Sequence, residues 1–229
     1  MSFVDLIPDV VGAHIERFAA FLHDPVSWPG KAPRDWAVHV VADEVLLARL
    51  PATIMTRDSL LGLCTDPSTP DEVCFLAVCA WGGMRISNAR LAWARRDLWL
   101  PLIRGMRSPG CPSREGLFAQ FAEARVPGLG PAFFTKLMHF CAADKGCLIM
   151  DQWTSRSVNL LCGTEVVRLL RQPGAVSVSR GNQAGNYERY CLVVETLAAQ
   201  FMLPAAALEE QLFAGGGLHR WRQYVRHYG

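Results

Sequence analysis

The chain has 229 residues, 51% hydrophobic and 19% charged, enough to bury a core as one large domain or two small intimate ones. No apolar run reaches the roughly 18 residues of a membrane span, and Met1-Ser2-Phe3-Val4-Asp5 lacks the basic and apolar regions of a secretion signal. Eight cysteines without a Cys-x-x-Cys pair read as reduced core residues of a cytoplasmic protein, not as ligands of zinc or an iron–sulfur cluster.

The pattern is helical almost throughout. Val11, Ile15, Phe18 and Leu22 fall on one stripe and predict a helix over 9–22, followed by a Pro/Gly-rich connection over 24–33. A second helix is expected over 35–50, stopped by Pro51, and a short third over 56–64. Thr69-Pro70-Asp71-Glu72 reads as a helix start: a capping threonine, proline at the first helical position, glutamate three residues after the cap. That helix runs to Trp81, is apolar nearly all round, and so belongs at the centre of the core; Gly82-Gly83 ends it. One helix is then expected over 85–104, another from a Ser113 cap to 124, another over 131–142, and one from Asp151 to near Gly163. Residues 171–183 read as a polar loop and 186–203 as a long amphipathic helix. A helix over 204–214, closed by Gly215-Gly216-Gly217, precedes a basic-aromatic tail. No strand-like alternation of useful length and no repeat is visible, so the expected fold is all-α with about ten helices.

The formal charge of +2 hides a skew, because 20 of the 23 basic residues are arginine. Arg85, Arg90, Arg95, Arg96, Arg104, Arg107, Arg114 and Arg125 face only Asp97, Glu115 and Glu123 in the same stretch, a local excess of +5. Arg220, Arg222 and Arg226, with His219 and His227, crowd the last twelve residues. The planar fork of arginine donates two hydrogen bonds at once to a phosphate; the same residues also suit a solvated helix face.

The most informative stretch is Val126-Pro127-Gly128-Leu129-Gly130-Pro131-Ala132-Phe133-Phe134-Thr135-Lys136, followed by Ile149-Met150-Asp151. Gly128 and Gly130 permit backbone angles that other residues resist, and Pro131 opens a helix without losing a needed N–H. The unbonded N–H groups of such a turn, backed by the positive end of the helix dipole, can grip a phosphodiester. The same four turn residues also make an ordinary helix–helix connection. Asp151, followed by Gln-Trp-Thr and a helical pattern, suits a helix N-cap and equally a carboxylate that works on the nucleotide held by the turn.

Together, the hairpin, the apolar helix with Phe133, Phe134, Leu137, Met138 and Phe140, and an aspartate preceded by Leu148-Ile149-Met150 resemble the helix-hairpin-helix DNA glycosylase superfamily over about residues 113–162. The closest look is to bacterial 8-oxoguanine-glycosylase-like proteins. The resemblance implies an all-α fold of two intimate helical subdomains, 69–165 and 1–68 with 166–229, and an active site in the cleft between them. It implies that a base is flipped out of the duplex and its N-glycosidic bond cleaved. That cleavage builds positive charge on the sugar, which the Asp151 carboxylate stabilises while it orients water. It assigns DNA contacts to Pro127, Gly128, Leu129, Gly130 and Ala132. Arg85 and Asn88, at the helix start after Gly82-Gly83, are candidates to fill the gap left by the flipped base. Gln152 and Trp153 are candidates for lining the pocket or touching DNA, where the indole could stack on a base. Trp153 equally suits the core, and His139 a local hydrogen bond.

The chain departs from the family at Ala132, where members that also cut the strand carry a lysine two residues after the second hairpin glycine. Lys136 lies one turn further along the same face. Three readings follow: a monofunctional enzyme that leaves an abasic site, Lys136 as a displaced nucleophile, or Lys136 as a phosphate contact. A displacement of about 5.4 Å favours the first. The β-rich N-terminal domain of the better-known members is not expected in these 229 residues. The expected partner is double-stranded DNA carrying a modified base. That base is an oxidised purine in DNA repair, or a hydroxymethylated or glucosylated cytosine in antiviral defence against phage DNA. A non-enzymatic DNA-gripping module is the remaining alternative. No cofactor is expected beyond a monovalent cation at the hairpin, and the protein is expected to act as a monomer.

Overall fold

The computed structural model describes residues 12–24, 26, 28, 30–215 and 219–229; the expected helix start at 9–11 and Gly216-Gly217 lie outside the described residues. The fold is all-α. In chain order the described helices are α1 (Gly12–Phe21), α2 (Pro33–Ala37), α3 (Glu44–Ala48), α4 (Arg57–Thr65), α5 (Asp71–Trp81), α6 (Ile86–Trp93), α7 (Arg96–Met106), α8 (Arg114–Ala124), α9 (Pro131–Cys141), α10 (Gln152–Cys162), α11 (Ala184–Gln200), α12 (Ala205–Phe213) and α13 (Arg220–Tyr228). None of them singly is long and apolar enough to cross a membrane. The chain divides into two compact units, Pro29–Cys147, and Leu148–Gly229 together with the described residues up to Trp28. This division differs from the expected 69–165 core, because α2 and α4 pack on α5 and α9 and so side with the hairpin.

In the unit of 29–147, α5 buries nine of its eleven residues, from Val73 to Trp81, which makes it the central helix. Each large apolar side chain so buried contributes about 1.5–3 kcal/mol. Its cap is Pro70, not Thr69: proline holds an extended backbone there and needs no N–H, while the Thr69 carbonyl accepts from Arg107 Nη1 at 2.8 Å. The helix expected over 35–50 is two. The run Val38-His39-Val40-Val41 is rich in β-branched residues, which fit a helix poorly. Asp43 then caps α3 by accepting from Leu46 N at 3.0 Å. The helix expected over 85–104 is also two, α6 and α7. The break buries Trp99, whose Nε1 donates to Ala92 O at 2.9 Å and whose ring stacks on Phe75 with centroids 3.9 Å apart. Ser113 caps α8 as expected, and Thr56, expected as the first residue of a short helix, is the cap of α4.

In the other unit, α10 packs against α1, α11, α12 and α13. The basic-aromatic tail is a helix, α13, that buries Trp221 and Val225. Trp221 Nε1 donates to Ser157 Oγ at 3.0 Å, and that hydroxyl donates to Leu212 O at 2.8 Å. The expected polar loop holds an antiparallel hairpin, β1 (Leu169–Gln172) and β2 (Ala175–Val178), with Leu169 opposite Val178 and Gln172 opposite Ala175. Both strands are short and largely exposed, so no apolar alternation announces them. All eight cysteines are free thiols, seven of them buried.

Candidate hairpin and carboxylate

The hairpin is built from the end of α8. Arg125 leaves the helix in the left-handed region (φ 46°, ψ 41°), and Leu129 N then donates to Val126 O at 3.2 Å. Pro127 and Gly128 are the corners of this turn. Proline followed by a residue at φ +75° is a type II turn, which asks for glycine at its second corner. A Cβ on Gly128 would lie 2.0 Å from the Asn88 carbonyl oxygen, so glycine is also what lets the turn lie on α6. The structure therefore brings Asn88 to the hairpin, while Arg85, the residue preceding α6, is exposed. Gly130 differs: its backbone is extended (φ −89°, ψ 176°) and nothing stands within 4 Å of a would-be Cβ.

Leu129 is buried and anchors the turn. Gly130 O accepts from Phe133 and Phe134 N at 2.9 and 3.0 Å, which starts α9. The N–H groups of Gly128, Gly130 and Ala132 make no hydrogen bond among the described residues, and Pro131 has none to offer. Three donors at a helix N-terminus, with open space at Gly130, form a cradle for an anion.

Lys136 is 6% exposed, and its side chain runs back along α9, so that Nζ donates to Ala132 O at 2.9 Å and lies 5.4 Å from the Phe133 ring centre. Gly82, at the end of α5, makes that slot: a Cβ there would stand 2.9 Å from Lys136 Cδ and 3.0 Å from Phe133 Cε1. His139 bonds locally, Nδ1 to Cys147 O at 2.7 Å, while Nε2 accepts from Arg57 Nε at 3.1 Å. Burial and the Arg57 charge push its pKa down to about 3, so the ring is neutral with the proton on Nδ1.

Asp151 is 8% exposed and stands at the N-terminus of α10. Its Oδ1 accepts from Trp153 N at 2.8 Å and Thr154 N at 3.1 Å, and its own N–H donates to Thr154 Oγ1 at 2.9 Å, a reciprocal capping box. The segment leading to it is fixed by two buried tyrosines of α11 that sequence reasoning missed. Tyr190 OH donates to Ile149 O at 2.6 Å; Tyr187 OH donates to Leu148 O at 2.8 Å and accepts from Leu148 N at 3.0 Å. Their i, i+3 spacing on an amphipathic helix was the only available signal.

Gln152 is tied up locally. In the amide orientation that satisfies both neighbours, its nitrogen donates to Val176 O and its oxygen accepts from Trp153 Nε1 at 3.1 Å. Trp153 is half-buried, and its ring carries three arginine guanidiniums instead of an open face. Among the described residues no cluster of three or more His, Cys, Asp or Glu side chains could hold a metal ion.

No curated protein and no solved structure matches this chain. A family model described as "Putative 8-oxoguanine DNA glycosylase OGG-like protein" matches residues 19–213, a span that takes in the hairpin, Lys136 and Asp151 with its brace. The chain belongs to this OGG-like DNA glycosylase family.

Proposed function

We propose that the protein is a monofunctional DNA glycosylase that flips a modified base out of double-stranded DNA and hydrolyses its N-glycosidic bond. The observation that carries this reading is Asp151: a buried carboxylate at a helix N-terminus, held by its capping box and by two tyrosine-braced carbonyls, within a family of DNA glycosylases. The hairpin donors of Gly128, Gly130 and Ala132 take a backbone phosphate. The C1′–N bond breaks with its electron pair leaving on the base. The Asp151 carboxylate stabilises the positive charge left on the sugar and orients the water that adds to C1′; the proton that water loses ends on the departing base, so that free neutral base and an abasic site result. The carbonyls of Pro127, Gly128 and Leu129 accept no hydrogen bond among the described residues, and a monovalent cation at the turn would use such oxygens. An oxidised purine is the substrate this family suggests; a hypermodified cytosine of phage DNA is the alternative, with defence in place of repair. We place the protein in the cytoplasm as a monomer.

One observation favours a second reading. Lys136 lies one turn beyond the position of the usual lysine, yet its Nζ reaches back to the Ala132 carbonyl. α9 holds no other lysine, so an amine nucleophile on this helix would be Lys136. Borohydride treatment during turnover separates the two. Hydrolysis leaves no protein–DNA adduct; attack by Lys136 leaves a covalent adduct that disappears in Lys136→Ala, and that result would overturn the monofunctional reading.

A further inference from the structure

Trp153, two residues from Asp151, gathers guanidiniums from two helices. The guanidinium carbon of Arg222 lies 4.4 Å from a Trp153 ring centre, that of Arg156 5.0 Å and that of Arg226 5.8 Å. Arg171 of β1 is near enough for its charge to be felt at Arg156. No Asp or Glu forms an ion pair with any of the four among the described residues. This is not a property of α13 as a whole, because Arg220 on the same helix pairs with Asp24, Nε to Oδ2 at 2.9 Å.

The cluster is costly as it stands. Arg156 and Arg222 are both pushed down by burial and by neighbouring guanidiniums, and the Nε–H of each is buried without a hydrogen-bond partner among the described residues. Arg156 spends Nη2 on the carbonyls of Val225, Arg226 and Gly229, and Arg222 spends Nη2 on Phe213 O. Contact with the indole returns only about 0.5–2 kcal/mol per cation. One negative charge, Asp151, is felt by Arg222. Like charges held together around one ring, with donors unspent, are the arrangement an anion completes.

We propose that Arg222 and Arg226, arranged on Trp153 and backed by Arg156, bind a phosphodiester of the DNA strand beside the nucleotide on which Asp151 acts; the assignment rests on the glycosylase reading above. Trp153 is then the platform that sets two guanidinium forks next to the carboxylate, and Gln152 fixes the edge of that platform. The two forks belong to α13, which lies beyond the span matched by the family, so the contact is a property of this chain that family membership does not supply.

The test uses the full-length protein and a short duplex bearing one tetrahydrofuran abasic analogue, with single phosphates replaced in turn by neutral methylphosphonates. Arg226 is exposed, so Arg226→Ala leaves the fold intact; Arg222 is wedged between Trp153 and Phe213, so Arg222→Lys keeps the charge and removes the fork. For wild type, one methylphosphonate next to the analogue weakens binding about tenfold, the size expected of a charge-assisted contact. Each variant binds the unmodified-backbone duplex about tenfold more weakly and loses most of that methylphosphonate penalty, and Arg226→Ala, which removes a charge, also shows a log K against log salt slope shallower by about one. Variants that keep the wild-type slope and the full methylphosphonate penalty overturn the phosphate site. Wild type that prefers the abasic duplex no more than a plain duplex contradicts the glycosylase reading instead, and the two failures are read from different columns of the same data.

Discussion

The two hairpin glycines make opposite predictions for the same substitution. At Gly128 an added methyl group meets φ +75°, which costs about 1–2 kcal/mol for a residue with a Cβ. It also lands 2.0 Å from the Asn88 carbonyl oxygen and 2.8 Å from its carbon, where ordinary contact begins at 3.4 Å. Both obstacles are backbone, so the turn and α6 must part by more than an ångström, at a further cost of about 1–3 kcal/mol. Gly128→Ala is therefore expected to lose about 3–4 kcal/mol, which in a chain of this size lowers Tm by roughly 10 °C. At Gly130 the backbone is one that any residue adopts and the space is open, so Gly130→Ala stays within about 0.5 kcal/mol of wild type. Thermal melts followed by circular dichroism measure both, and anisotropy with duplex DNA reports whether the displaced turn still binds. If the two variants melt together, the close approach of the turn to α6 is not what requires glycine at 128.

Asp151→Asn keeps the capping acceptor, so stability moves by less than about 1 kcal/mol, while excision falls by about 10²–10⁴. Asp151→Ala loses the cap as well and unfolds about 1–2 kcal/mol more easily; an Asn variant no more stable than the Ala variant would contradict the capping geometry. Tyr190→Phe removes one of the two hydroxyls that hold Ile149 O, leaving Thr154, and should cost about 1 kcal/mol in stability and lower kcat with KM unchanged. A variant with wild-type kcat shows that the brace does not position Asp151. The buried, neutral His139 binds its proton more tightly in the unfolded chain, near pH 6.5, than in the folded one, near 3. Stability is therefore complete above about pH 6.5 and declines as the pH falls through that window, by up to about 1.4 kcal/mol per unit. His139→Gln should flatten that segment of a Tm-against-pH curve.

Features set by local chemistry were legible in the sequence: the apolar α5, the Ser113 and Asp151 caps, and the Pro-Gly-Leu-Gly turn between two helices. Features set by distant contacts were not. The break between α6 and α7 exists because Trp99 finds Phe75 and the Ala92 carbonyl, neither of which is a local signal. The hairpin at 169–178 is too short and too exposed to leave a period. Two glycines that read alike have different reasons, because Asn88 stands over only one of them. Ala132 was visible as a missing lysine; that Lys136 reaches back toward its place depends on a side-chain direction and on the room left by Gly82. Tyr187, Tyr190, Arg222 and Arg226 come from segments more than thirty residues from Asp151; helical spacing groups them among themselves but does not connect them to the carboxylate.

In the proposed function the Asp151 carboxylate drives cleavage of a base from DNA. Mass spectrometry of the bases released from oxidatively damaged duplex DNA and from DNA with hydroxymethylated or glucosylated cytosine tests it most directly. Wild-type protein is expected to yield a free modified base and an abasic site, and Asp151→Asn, which still binds DNA, is expected to yield neither. Release of no base from any of these substrates, or undiminished release by Asp151→Asn, would contradict it.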